Sequence, residues 1–243
     1  MATPLASAAI RNHLLRSFPT ASMQAIRPHL RFVELPARAM LVEANQPITH
    51  VHFVESGLAS LVAVAGNDRI EVGLLGREGM TGLSAVLGIE ITPHDAMMQV
   101  AGTAYRVEAA LMKSLFDTDR SLRETMLRFI GVQLVQVSQT ALANGRFTVE
   151  QRLARWLLMA QDRLGADHLG LTHDILAIML GVRRPGVTVA LHILEGERAI
   201  RARRGSITIL DRDRLQSLAG QAYSQVEAAY VDFVRHLAEP ANA

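Results

Sequence analysis

The chain has no cysteine in its 243 residues. That absence removes disulfides, thiolate zinc sites, cysteine-held iron–sulfur clusters and cysteine nucleophiles. No apolar run approaches the ~18 residues needed to cross a bilayer, so no membrane partner is expected. The opening stretch MATPLASAAIRNHLLRSFP lacks the basic start and long apolar core of a secretory signal, and a cytoplasmic protein is expected. What is present is globular: 49% hydrophobic and 20% charged residues, in a chain long enough for one or two domains.

Charge is placed unevenly. The net charge is only +2, but residues 181–214 hold eight arginines (183, 184, 198, 201, 203, 204, 212 and 214) against four acids, 195, 197, 211 and 213. That segment is therefore +4 and the remainder −2, which points to an anionic partner bound there or to a solvated arginine-rich surface.

Residues 5–30 read as short helices. From Arg31 to Glu108, short β-rich runs recur (AMLVE, ITHVHFVE, LASLVAVA, RIEVGLL, MMQVAG, AYRVEA), punctuated by turn residues that include Gly57, Gly66 and Gly102. Many short strands with glycine turns predict a β-sandwich or roll. Residues 109–142 read as helical. There Leu122, Met126, Phe129, Gln133 and Val137 form one stripe, and Leu127, Ile130, Leu134 and Ala141 another. Two sticky stripes need two covers, the chain's own β-domain and a second copy. The first stripe is assigned to the homodimer seam. An Asn144–Gly145 pair predicts a break, and Thr148 with Gln151 a capping box opening the next helix. The expected domains are 1–118 with the β-roll, 119–145 with the dimerising helix and hinge, and 146–243.

In LTHDILAIMLGVRRPGVTVALHILEGERAI, Thr172 is a candidate N-cap and Gly181 a helix stop. A second helix is expected from Arg184 to Glu195, with Val187, Leu191 and Leu194 inward. Proline is tolerated in a first helical turn, where its missing N–H has no partner to lose, and Gly186 lets the helix start approach another surface. The first turn of a recognition helix enters the DNA major groove, where Arg183 and Arg184 can bond phosphates or a guanine edge. AIRARRGSITIL then reads as a hairpin, with Arg201 and Arg203 on one face and Arg204 at the tip. A basic hairpin there suits phosphate contacts. The candidate DNA-binding residues are Thr172, His173, Arg183, Arg184, Gly186, Thr188, Arg201, Arg203 and Arg204, on double-stranded DNA.

RLARWLL and the helix–turn–helix–hairpin stretch, together with HVHFVESGLASLVAV and EVGLLGREGMTGLSAVLG, resemble the Crp/Fnr family of bacterial transcription regulators. The resemblance implies an α+β protein: an N-terminal jelly-roll-like, cyclic-nucleotide-binding-like β-roll, a long dimerisation helix and a C-terminal winged helix-turn-helix. It also implies a non-enzymatic homodimer on a pseudo-palindromic operator, with RNA polymerase a further partner and the small-molecule effector left open.

The chain departs from the family where cyclic nucleotides bind. Members that bind them carry Gly-Glu-Leu, the Glu for the ribose hydroxyl, and later Arg-Ser-Ala, the Arg for the phosphate. Here Gly82–Leu83–Ser84 and His94–Asp95–Ala96 stand in the equivalent places. Leucine cannot accept the hydroxyl and aspartate would repel the phosphate, which predicts a degenerate pocket. Glu78 lies close enough to serve in a shifted register, and a cyclic-nucleotide-responsive regulator is the alternative. Cyclic-AMP-responsive relatives also carry a base-reading Arg where this chain has Val189, and a Glu where it has Pro185. A different operator is expected.

Two other features compete. His50, His52 and Glu55 resemble the metal motif of cupin-type β-barrel enzymes, though without its spacing; no metal or other cofactor is expected. Leu215, Leu218, Ala219, Ala222, Tyr223, Val226, Ala229, Tyr230, Phe233 and Leu237 form an amphipathic C-terminal helix, expected to pack on the body of the protein.

Overall fold

The computed structural model describes residues 10–223. The N-terminal part opens with α1 (His13–Arg16), α2 (Thr20–Ile26) and a 3-10 turn. β1 (Arg31–Leu35), β2 (Met40–Val42), β3 (His50–Ala65), β4 (Asp68–Leu75), β5 (Met80–Thr81) and β6 (His94–Glu108) form one six-stranded sheet, interrupted by the short helix α3 (Leu83–Val86). The path is β1-β6-β3-β4, with β2 on β6 and β5 on β3. Every pairing is antiparallel. The sheet wraps around Phe53, Met98, Tyr105 and Met112, all at most 2% exposed.

Two expected turns are not turns. Four of the β-rich runs merge into two long strands, β3 and β6, and Gly57 and Gly102 lie inside them at register shifts. Gly57 has φ +84, and a Cβ at Gly102 would sit 1.9 Å from the Ser56 carbonyl oxygen. Glycine is needed there because two backbones meet at a bulge, not because the chain reverses.

Next come α4 (Ala109–Thr118), α5 (Arg120–Arg146) and α6 (Val149–Leu164). Asp119 caps α5, accepting from the N–H groups of Ser121 and Leu122. The helix runs through Asn144–Gly145, so the break expected there moves to Phe147–Thr148, both extended. Ala143 in the last turn is buried, at 2% exposure, and the helix continues despite the ~1 kcal/mol that glycine costs it. Thr148 and Gln151 close the capping box that starts α6.

The stripes of α5 are covered differently from the sequence reading. Leu122, Met126 and Phe129, assigned to the dimer seam, are at most 1% exposed and belong to the core of their own β-roll. Gly79 packs so tightly on Phe129 that a Cβ would stand 2.9 Å from its ring. Leu127 and Leu134 are the exposed ones, at 51% and 63%. Sequence periodicity shows that two faces exist, but the sheet decides which it takes.

The C-terminal part contains β7 (His168–Leu169), α7 (His173–Leu180), α8 (Arg184–Gly196), β8 (Ile200–Arg203), β9 (Ser206–Ile209) and α9 (Arg212–Ala219). The three strands form a sheet in the order β7-β9-β8. α9 stops before Gly220 (φ 54), so the expected C-terminal helix is interrupted there. Leu215, Ala219, Ala222 and Tyr223 are buried; its continuation from Val226 to Leu237 lies outside the described residues.

The two parts share a core. Leu58, Val62 and Leu74 of the roll pack into the cluster built by α6, α7 and α8. Buried polar contacts join them as well. Trp156 Nε1 donates to Glu71 Oε1 at 2.8 Å, and Ser60 Oγ donates to the other oxygen of that carboxyl. Arg163 Nε donates to Glu78 Oε1 at 2.6 Å, with both side chains at most 4% exposed. Burial pushes the Glu71 carboxyl up to about 7, against the pull of its hydrogen bonds and of the Arg155 and Arg163 charges. On α5, the Gln136 amide brackets Leu74, accepting from its N–H at 2.8 Å and donating to its carbonyl at 3.1 Å. It thereby satisfies the backbone of edge strand β4.

Candidate nucleic-acid interface

α7 and α8 form the helical pair. Thr172 accepts from the Ile175 N–H to cap α7, and Gly181 ends it in the left-handed conformation with φ +59. Arg183 is extended, and α8 starts at Arg184 with Pro185 in its first turn. Val187, Ala190, Leu191 and Leu194 hold α8 to the core at no more than 1% exposure. A two-residue turn at Arg204–Gly205 joins β8 and β9, where Arg201 pairs with Thr208 and Arg203 with Ser206. Ile200, Ile207 and Ile209 face inward, leaving Arg201 and Arg203 exposed.

Between α8 and this wing lies an open cleft of about 760 Å³, bordered by Thr172, His173, Arg184, His192, Arg203 and Arg204 among others. Thr188 Oγ1 lies 3.2 Å from His173 Nδ1 and 3.3 Å from the Arg184 carbonyl, which fixes the start of α8 against the start of α7. Glu195 accepts from the Ala202 N–H at 2.7 Å, which fixes the wing against the far end of α8. The groups that flank the cleft are therefore held by hydrogen bonds to one another's elements.

Not all of the basic segment is free. Arg212 is paired with Asp162 at 2.8 Å, and Arg214 with Glu197. Among the described residues, Arg183, Arg201, Arg203 and Arg204 have no carboxylate within 4 Å, and Arg184 has only an exposed one, Asp174, at 3.7 Å. An exposed pair of that length contributes little. Of the expected set, Thr172, His173, Arg184, Arg203 and Arg204 meet at the cleft, while Arg201, exposed on the same strand as Arg203, does not border it. Arg183 borders a second cleft, of about 770 Å³, beside the β3–β4 hairpin. That hairpin packs closely on the turn, and a Cβ at Gly181 would lie 2.6 Å from Ile70. Gly186 meets only the Val182 side chain, at 3.8 Å. His192, absent from the expected set, joins the cleft; the i, i+4, i+8 spacing of Arg184, Thr188 and His192 was the available signal.

The roll holds a separate cavity of about 190 Å³ between α3, the sheet and α5. Gly82, Leu83 and Ser84 border it, with Leu61, Leu75, Met80, Ile130 and Val137. Gln133 and Val137 of the expected dimer seam thus line this cavity. No arginine or lysine lies on its wall. The other expected pocket residues are elsewhere. Glu78 is committed to Arg163. Asp95 accepts from the Ala44 N–H at 2.8 Å and pairs with Arg69 at 3.2 Å. His94 faces the Thr92 hydroxyl at 2.8 Å. The shifted register that would bring Glu78 to the ribose is therefore corrected: Glu78 does not border the cavity, and its Oε1 is taken by Arg163 in the contact between the two parts of the chain.

The cupin-like residues are also engaged. Glu55 accepts from the backbone N–H groups of Arg11 and Asn12 at 2.7 and 2.9 Å, and burial lowers the His52 imidazole to about 4. Among the described residues no group of three His, Cys, Asp or Glu is placed to hold a metal ion, and no single helix is long and apolar enough to cross a membrane.

A β-roll joined through a long helix to a winged helix-turn-helix defines a DNA-binding transcription regulator with a sensor-type domain. Comparison with known proteins agrees. Residues 32–119 match the cyclic nucleotide-binding domain, and residues 151–218 match the Crp-like helix-turn-helix domain. The chain belongs to the Crp/Fnr family, whose members are transcription factors rather than enzymes. No curated protein matches it. Similar solved structures include a putative crp/fnr-family regulator from Eubacterium rectale, with 20% identity and a TM-score of 0.70 over 85% of this chain and 97% of that one. FixK2 from Bradyrhizobium japonicum has 17% identity and a TM-score of 0.67 over 79% and 98%. The c-di-GMP-responsive regulator CLP of Xanthomonas campestris has 16% identity and a TM-score of 0.65 over 79% and 99%.

Proposed function

We propose that two copies of this chain pair along α5 and bind a pseudo-palindromic operator in the cytoplasm. The first turns of α8 enter the major groove, and the β8–β9 wing rests on neighbouring phosphates. The observation that carries this reading is the cluster of exposed arginines around the start of α8 and the wing tip, of which, among the described residues, Arg183, Arg203 and Arg204 have no carboxylate partner and Arg184 only the exposed Asp174 at 3.7 Å. Held in place but not neutralised from within, they suit a polyanion. The helix start can offer Arg184 to a guanine edge, while Arg203 and Arg204 meet the backbone.

Selection from random DNA is expected to enrich a two-fold repeat with half-sites about one turn, ~34 Å, apart. Arg184→Ala should cost roughly 1–3 kcal/mol and relax preference at one base pair. Arg203→Ala should weaken all sequences alike and lower the salt slope by about 1. If no motif is enriched, the protein is not a sequence-specific regulator.

The roll's cavity does not take a cyclic nucleotide in this reading. A cyclic phosphate must exchange its water for cationic and N–H donors, and the cavity wall is apolar with no basic side chain. An unmet ribose hydroxyl costs about 1–3 kcal/mol more. Titration calorimetry with cyclic AMP and cyclic GMP is expected to give no binding at micromolar concentrations. Micromolar binding that tightens DNA binding would restore the cyclic-nucleotide alternative.

A further inference from the structure

We propose that Val189 is a specificity-determining residue that reads the methyl group of a thymine in each operator half-site. This rests on the reading that α8 enters the major groove, and it names what that helix recognises besides guanine.

α8 is apolar on two sides. Val187, Ala190, Leu191 and Leu194 supply its buried face. On the opposite side Pro185, Val189 and Ile193 follow one another at i, i+4 and i+8, all exposed, with Val189 at 59% and Ile193 at 41%. Helical spacing puts the three on one line. Neither stability nor solubility calls for this stripe. The core of the helix is already filled, and a β-branched residue is a mediocre helix former. A lone exposed apolar side chain needs no explanation, but this stripe of three runs along the exposed side of the helix that also presents Arg184 and His192 to the basic cleft. Arg184 precedes Val189 by five residues, His192 follows by three, and Arg203 and Arg204 lie across the cleft. An apolar stripe beside exposed cationic side chains on one helix is poorly matched to an apolar protein face and well matched to nucleic acid, whose groove edge offers apolar methyls beside phosphates.

In the major groove, the C5-methyl of thymine gives a base edge its apolar contact. Valine has no donor or acceptor, so against a guanine or cytosine edge it would bury polar groups without satisfying them. Thymine is the base it favours. Arg184 and Val189 are about 7.5 Å apart along the helix axis, roughly two base-pair steps. The thymine is therefore expected within about two or three pairs of the base that Arg184 reads.

The test uses the operator recovered by selection. Each thymine is replaced in turn by deoxyuridine, which removes the methyl and leaves every hydrogen-bonding group in place. One position per half-site is expected to lose about four-fold in affinity, the worth of one buried methyl. Val189→Ala should bind the thymine operator at least that much more weakly, keep the salt slope and show no methyl sensitivity. Ile193→Ala, further from the helix start, should retain the full deoxyuridine profile. An operator indifferent to every thymine methyl, or a sensitivity that persists in Val189→Ala, overturns this inference and leaves specific DNA binding standing. A Val189→Ala protein with altered oligomeric state and unaltered methyl sensitivity would assign the stripe to a protein contact instead. Enrichment of no motif at all would remove both readings together.

Discussion

Leu134→Glu is expected to turn the proposed α5-paired dimer into a folded monomer. Leu134 is 63% exposed on α5, in line with Leu127 at 51% and Leu142 at 45%. Gly131 between them is open enough that an added Cβ would touch nothing within 4 Å. Leu127, Gly131, Leu134 and Ser138 alternate four and three residues apart, the spacing of a two-helix seam, and a glycine there lets the helices approach closely. A glutamate at position 134 should be tolerated in a single copy because the side chain, though it borders the mouth of the roll's cavity, is 63% exposed. In a pair, two like charges would be buried without partners, at a cost of several kcal/mol. Light scattering at micromolar concentration should read one chain's mass, with the circular dichroism of the native fold, and operator binding should weaken because each copy then holds one half-site. Phe129→Glu has a different expected outcome. Phe129 lies in the core of the roll, and that change should leave little folded protein. A Leu134→Glu variant that stays dimeric would remove α5's exposed face as the seam.

Glu78→Ala is expected to be among the most destabilising single changes in the chain. It removes the carboxylate that pairs with the Arg163 guanidinium, 1% exposed, at 2.6 Å; the Met159 carbonyl at 3.1 Å and the electrostatic pull of Glu71 remain. Truncating one partner of a buried pair costs about 3–5 kcal/mol, which in a chain of this size is a drop of roughly 10 °C in melting temperature. Glu78→Gln keeps an acceptor oxygen near Arg163 and should lose less. Because the pair joins the sensor-type roll to α6, the loss should also loosen the two parts from each other. Calorimetry showing an unchanged melting temperature would mean that the contact carries no stability.

The winged helix-turn-helix was readable because its signals are local. Thr172, Gly181, Pro185 and the arginine hairpin each act within a few residues of themselves, through caps, backbone conformation and period-2 alternation. The hairpin's third strand, β7, was not legible, since two residues carry no periodicity. The roll's glycines were misread as turns for a similar reason. Positive φ and close backbone approach both demand glycine, and only the pairing of β3 with β6 tells them apart.

The sequence by itself determined the order of modules, the caps at Thr148 and Thr172, the stop at Gly181, the basic wing, and the absence of cysteine chemistry, because these depend on residue identity and short-range spacing. Tertiary structure alone decided which stripe of α5 the roll covers, which arginines remain free, and where Glu78 and Asp95 point. Each of those is settled by partners far away in the chain, as Arg163 is for Glu78 and Ala44 is for Asp95. A buried charge takes its role from whichever opposite charge or donor packing brings within reach, and sequence spacing carries no information about that distance.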